Sequence, residues 1–259
     1  LNDVLEYTDE NEINGILFSA DFEKAFDSIE HSFIFATLES FGFGPQFIHW
    51  IRTIFQNPES SVMNNGDSTG YFSVQRGSRQ GDPLSAYLFI LCAEILFIQI
   101  RENKEIKGII VDNYEIKLSA FADDAGFFMA NVESLKLVFQ TCTIFQLFSS
   151  LKLNLEKSEA CWIGNKKGSP EAPVNCKWVN IKNAAIRTLG IFNSYDSDLV
   201  EKLNFLDNLK CLNDVLKLWE YRGLSLAGKI LIFKSLALSK LLYTCNMKSS
   251  SKQIIDQLN

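Results

Sequence analysis

The 259-residue sequence predicts an α+β fold with an antiparallel sheet at its core and flanking helices, followed by a helical C-terminal segment. Three observations carry this reading. Short apolar runs, Gly15–Ala20 and Lys117–Met129, have strand-like patterning and lead into carboxylates. A long apolar run from Leu84 to Ile100 follows Asp82-Pro83, a strong N-cap and N1 pair, and reads as a buried helix. From Ser197 onward, leucines recur at helical spacing.

Taken in order, the first strand ends at Asp21, and Ser28 is placed to cap a helix running to about Phe41. Gly42 to Pro45 makes a turn, and a second helix runs to about Gln56. Asn64-Asn65-Gly66 lies between alternating stretches, a hairpin signal. The helix opened by Asp82 extends to about Arg101; Glu94 and Gln99 interrupt its apolar run, which favours a core helix over a membrane span. Strands around Ile109 and Ile116 lead into Lys117–Met129, which reads as two strands meeting at Asp123-Asp124. Val132 to Ser150 is helical, with Leu135, Phe139, Cys142 and Phe145 on one core face. Gly164 to Pro173 is a Lys-, Gly- and Pro-rich surface loop, and strands near Trp178 and Leu189 follow. Leu199, Leu203, Leu206, Leu209, Leu212, Leu216 and Trp219 form one helical stripe ending at Gly223. Ser225 restarts a helix carrying Leu226, Ile230, Phe233, Ala237 and Leu241. The domain boundary is set near Asn193, giving 1–193 and 194–259.

The chemistry concentrates in the acidic positions. Neighbouring strand residues point to opposite faces, so only a turn aims Asp123 and Asp124 into one space. Paired carboxylates in an apolar setting repel and require a cation, for which a hard divalent ion such as Mg²⁺ is suited. Asp21, 102 residues earlier, ends an apolar strand and supplies a third carboxylate through the fold. Such a trio serves two-metal phosphoryl transfer. Between them, Arg76-Gly-Ser-Arg-Gln-Gly-Asp-Pro-Leu-Ser85 is a glycine-containing loop entering a helix N-terminus, a setting equally suited to phosphate and to an ordinary capped start.

Asp21-Phe-Glu-Lys-Ala-Phe-Asp27, Arg79-Gln-Gly-Asp-Pro-Leu-Ser85 and Phe121-Ala-Asp-Asp124, in that order, resemble the palm motifs of reverse transcriptases, most of all those of non-LTR (LINE-type) retrotransposons. Leu151-Lys-Leu-Asn-Leu-Glu-Lys-Ser158 is similar to the family's next motif, Thr188-Leu-Gly-Ile191 to its primer grip, and Trp219–Lys234 to the start of its thumb. The resemblance implies a palm over 1–193 and a partial helical thumb over 194–259, with most of the fingers absent. It implies two Mg²⁺ ions, with Mn²⁺ as an alternative, held by Asp21, Asp123, Asp124 and the backbone carbonyl of Phe22. Phe26 takes the steric-gate position that selects deoxynucleotides, and Arg79, Gln80 and Gly81 join Phe22 and Phe26 in binding the incoming nucleotide. Lys157 falls where the family places a lysine that protonates pyrophosphate, and Leu189, Gly190 and Ile191 fall in the primer grip. The implied partners are an RNA template, a DNA primer and dNTP, with fingers and endonuclease regions of a longer protein and no membrane. Ser78, Ala86 and Phe121 depart from the commonest family residues without removing a ligand or the gate.

Charge divides the chain: residues 1–150 carry nine Lys/Arg against twenty-one Asp/Glu, and 151–259 carry sixteen against ten. Cationic surface for a phosphate backbone is therefore confined to the C-terminal part, and the acidic whole argues against tight nucleic-acid binding by this stretch alone. Six scattered cysteines without a Cys-x-x-Cys pair read as reduced core thiols of an intracellular protein, here cytoplasmic and nuclear. His31 and His49 fall in helical segments and suit surface or packing roles. Two alternatives stay open: a group II intron-type maturase, and a non-catalytic palm that binds RNA or protein. Retention of all three aspartates disfavours the second, and the Phe121 motif favours the LINE type over the first.

Overall fold

The computed structural model describes residues 2–79, 81–172 and 174–248. Two compact units divide them: Asp3–Asn165 with Glu171–Trp178, and Lys166–Pro170 with the chain from Val179 onward.

In chain order, the first unit holds α1 (Asn2–Glu10), β1 (Gly15–Ala20), α2 (Ala25–Ser28), α3 (His31–Ser40) and α4 (Pro45–Ile54). The short strands β2 (Glu59–Ser60), β3 (Met63–Asn64), β4 (Asp67–Ser68) and β5 (Phe72–Ser73) follow, then α5 (Pro83–Glu102). β6 (Ile109–Val111), β7 (Tyr114–Ile116), β8 (Leu118–Phe121), β9 (Asp124–Met129), α6 (Val132–Ser149), β10 (Glu159–Ile163) and β11 (Lys177–Trp178) complete it. The main sheet runs β11-β10-β1-β9-β8, antiparallel except between β10 and β11.

β1 is central, and its run Gly-Ile-Leu-Phe-Ser-Ala is buried throughout except for half-buried Ser19. Ile16, Phe18 and Ala20 face the helical core together with Phe127 and Met129 of β9 and Ala160 of β10. Leu17, with Phe128 and Cys161 opposite it on either side, fills the other face and is equally buried. A strand covered on both faces needs such a near-continuous apolar run.

Side chains cap the two long helices of the first unit. Asp82 caps α5 by accepting from the Leu84 amide at 3.0 Å, and Asn131 caps α6 through the Ser134 amide at 2.8 Å. α5 is long and apolar enough to cross a membrane by length and composition. Its Leu88, Phe89, Cys92, Leu96, Phe97 and Ile100 are buried in the first unit's core. Lys117, only 7% exposed, closes its other end by donating to the carbonyls of Arg101 and Asn103 at 2.8 Å each.

Asn65 and Gly66 turn the β3–β4 hairpin with φ of 52° and 93°, as a two-residue type I′ turn requires. Ser28 departs from expectation. It closes the short α2 by donating to the carbonyls of Glu23 and Lys24, and α3 starts at His31 with no side-chain cap. The break arises because Glu30 is drawn into extended pairing with Arg76 and donates its amide to the Ser149 carbonyl.

The second unit contains the hairpin β12 (Ile186–Thr188) and β13 (Ile191–Asn193), then α7 (Ser197–Glu201), α8 (Asp207–Glu220), α9 (Leu226–Ile232) and α10 (Ser239–Met247). The strands expected near Leu189 flank it, and Leu189 itself forms the hairpin's turn with Gly190, at φ of 49° and 78°. π-helical stretches at Lys202–Leu206 and Phe233–Ala237 link the helices. A π turn adds a residue to the helical repeat and slips the apolar stripe. Leu206 is thereby 41% exposed, while Asn204 and Phe205 are buried. Asn204 accepts from the Phe192 amide at 3.0 Å and donates to the Phe192 carbonyl at 2.8 Å. Tyr243 of α10 donates to the Leu189 carbonyl at 2.5 Å. These bonds group the hairpin with the helices, so the compact units divide at Val179, ahead of the Asn193 boundary drawn from sequence.

Candidate active site

The acidic positions meet at one end of the main sheet. Antiparallel pairing of β1 and β9 runs from Ile16 opposite Met129 to Ala20 opposite Ala125, and the next position in that register sets Asp21 across from Asp124. Directly opposed residues of an antiparallel pair share a face. Asp21 and Asp124 therefore lie on the face of Leu17 and Phe128, away from the core that holds Ile16, Phe18 and Ala20. Ala122 and Asp123 form the two-residue β8–β9 turn, closed by the Phe121–Asp124 pair. Ala122 has φ of 53°, in the left-handed region, and Asp123 is not at positive φ. Behind the carboxylates, Ser19, Gly126 and Ser119 form a row of small residues on the same face.

The Leu151–Ser158 segment holds Asp21 from the other edge. Asn154 donates its amide to the Asp21 carbonyl at 2.8 Å, and the Asp21 amide donates to Ser158 Oγ at 3.0 Å. The Phe22–Leu153 bridge and the bond from the Glu23 amide to the Lys152 carbonyl continue this pairing. Successive residues of an extended strand turn their backbone groups to opposite edges. The Phe22 carbonyl thus faces the edge on which β9 lies.

Asp21 and Phe22 also line a cleft of about 880 Å³ with Lys24, Arg76, Lys152 and Lys157. Glu23 and Asp27 complete its charged lining, and Glu23 pairs with Lys152 at 2.8 Å. Four cations thus line the cleft beside Asp21, available to the phosphates of a polyphosphate. Sequence motifs singled out Lys157 and Arg76. Lys24 and Lys152 carried no separate signal, since only the fold brings them to one wall.

Phe26 stacks on Phe89 of α5, ring centroids 4.5 Å apart, and its carbonyl accepts the Ser78 amide at 2.7 Å. Arg79 and Gly81 are exposed in the loop that leads to Asp82, and Gln80 lies outside the described residues. Leu189, Gly190 and Ile191 belong to the second unit's hairpin.

The oxygen donors Asp21, Asp123, Asp124 and the Phe22 carbonyl form the kind of set that a hard divalent cation takes. Extended one position past Ala20–Ala125, the register sets Asp21 across from Asp124, and Asp123 adjoins them at the turn. Among the described residues, no three His, Cys, Asp or Glu side chains stand close enough to hold an ion. The backbone register thus brings the segments that carry these aspartates to one end of the main sheet.

The family model described as reverse transcriptase (RNA-dependent DNA polymerase) matches residues 2–192. The Xenopus laevis transposon TX1 uncharacterized 149 kDa protein is 27% identical over 264 residues, covering 100% of this chain and 20% of that protein. The Pol polyprotein of the type-2 retrotransposable element R2DM from Drosophila melanogaster is 32% identical over 151 residues, 58% of this chain and 14% of its own length. This chain thus spans 20% or less of these two relatives. Among solved structures, telomerase from Candida tropicalis, in complex with the TWJ fragment of telomeric RNA, aligns with a TM-score of 0.51 at 13% identity. That alignment covers 99% of this chain and 44% of the telomerase, a likeness of fold.

Proposed function

This chain belongs to the reverse transcriptase family, and we propose that it forms the palm and part of the thumb of an RNA-directed DNA polymerase from a non-LTR retrotransposon. The main support is the β1–β9 register, which sets Asp21 across from Asp124 with Asp123 at the adjoining turn. The cleft beside Asp21, lined by Lys24, Arg76, Lys152 and Lys157, adds to it.

In this reading, a DNA primer's 3′-hydroxyl attacks the α-phosphorus of a dNTP opposite an RNA template, and pyrophosphate leaves. Asp21, Asp123, Asp124 and the Phe22 carbonyl would hold two Mg²⁺ ions, which when bound lower the charge cost at attacking and leaving oxygens. Lys24 and Arg76 bind the triphosphate along the cleft wall. Lys157, on the same wall, gives a proton to the leaving oxygen, where charge builds in the transition state. The Phe26 ring, backed by Phe89, crowds a ribose 2′-hydroxyl and excludes ribonucleotides. The hairpin at Leu189–Ile191 grips the primer, and the cationic second half of the chain supports the duplex backbone. Fingers and an endonuclease are supplied by further regions of the polypeptide.

Primer extension on an RNA template, by a polypeptide carrying this whole chain, tests the reading. Asp123→Ala should lower the rate by about 10³-fold or more, with circular dichroism unchanged. Undiminished extension by that variant would remove the assigned site.

A further inference from the structure

We infer that His31 is a positioning residue for sugar selection, latching the Arg76–Ser78 loop to the segment that carries Phe26. The inference rests on the polymerase reading above and extends it to a residue outside the cleft.

His31 opens α3, and its Nε2 lies 2.9 Å from the Gly77 carbonyl. A carbonyl oxygen only accepts, so Nε2 carries the hydrogen in this contact. The imidazole also packs on Phe55, centroids 4.6 Å apart, which fixes its direction. Gly77 in turn donates its amide to the Ile29 carbonyl at 2.7 Å. The next residue, Ser78, is buried and donates twice to the Phe26 carbonyl, from its amide at 2.7 Å and from Oγ at 3.3 Å. Two consecutive loop residues thus bind positions 26, 29 and 31.

The fit leaves little slack. Gly77 has φ of 85°, and a Cβ there would lie 2.6 Å from the Asp27 carbonyl oxygen. The loop therefore runs against the backbone next to the gate, and a change in the Gly77 peptide is passed to Ser78 and on to Phe26. Phe89, the other support of the Phe26 ring, sits on α5, the helix that this loop opens. His31 acts at the point where loop and gate segment are joined, without lining the cleft beside Asp21.

The test compares dNTP and rNTP incorporation on one primer–template by a polypeptide carrying the whole chain. His31→Phe keeps the ring against Phe55 and removes the donor; His31→Gln keeps a donor. The deoxy-to-ribo ratio of kcat/KM should fall roughly tenfold in His31→Phe, the worth of one ordinary hydrogen bond, mainly through a lower KM for rNTP. His31→Gln should restore most of it. Ser78→Ala, a smaller change, should shift the ratio the same way by a lesser factor. Phe26→Val, run in parallel, should lower the ratio most. An unaltered ratio in both His31→Phe and Ser78→Ala, with Phe26→Val relaxed, overturns the latch and leaves the polymerase reading intact. An unaltered ratio in Phe26→Val removes the gate and the latch together. Absence of any extension by the wild type overturns the polymerase reading, and the latch with it.

Discussion

Lys157 donates its amide to Asn154 Oδ1 at 3.2 Å, and Asn154 and Ser158 both bind the backbone of Asp21. The lysine is therefore carried on the segment that fixes the first carboxylate, and its exposed side chain lines the cleft beside that group. If Lys157 supplies the leaving-group proton, Lys157→Ala should lower kcat for single-nucleotide addition about 10²-fold, with little change in KM. Rapid-quench kinetics would show this, and an unchanged kcat would exclude the role. The sequence marked Lys157 through its motif. It did not mark Lys24 and Lys152, because surface lysines look alike until a fold aims them at one wall.

Among the elements, α5 shows both the reach and the limit of local signals. Asp82-Pro83 marks its start in the sequence, and the Asp82 cap is present. Its far end is closed by Lys117, whose Nζ reaches carbonyls 16 and 14 residues back in the chain. No local pattern encodes that bond. Lys117→Met keeps the apolar stem and removes both charge-assisted bonds at the negative end of the helix dipole. It should cost about 2–3 kcal/mol of unfolding free energy in a denaturant titration. A change within a few tenths would show that solvent caps the helix as well as Lys117 does. The π-helical stretches were illegible for a related reason. Periodicity assumes a constant repeat, and an inserted residue rotates every later side chain, as Leu206 and Phe205 show.

For the whole molecule, the cysteines separate by environment. Cys92 and Cys142 have thiols pushed up to about 12 by burial, and Cys161 is raised by burial first and then by the nearby Glu159 carboxylate. Cys211 and Cys245 are exposed, so the core reading of all six thiols holds for only part of the set. The thiolate is the reactive form. Iodoacetamide at about pH 8 should therefore label Cys211 and Cys245 in the native chain. Cys92, Cys142 and Cys161 should react only after denaturant is added, as read by peptide mass spectrometry. Early labelling of Cys142 would mean that the core packed around α6 opens readily.

Most strand and helix positions, the α5 cap and a hairpin at Asp123-Asp124 were legible because hydrophobic period, capping and turn chemistry act over a few residues; the turn itself lies one residue earlier, at Ala122-Asp123. So were the order of the motifs and the uneven charge of the two halves. The alignment of Asp21 with Asp124, the assembly of the cleft and the grouping of the Leu189–Gly190 hairpin with the helices came only from the tertiary structure. Each depends on contacts between distant segments, whose register is set by the sum of many packing and hydrogen-bonding terms. No stretch of sequence contains that sum by itself.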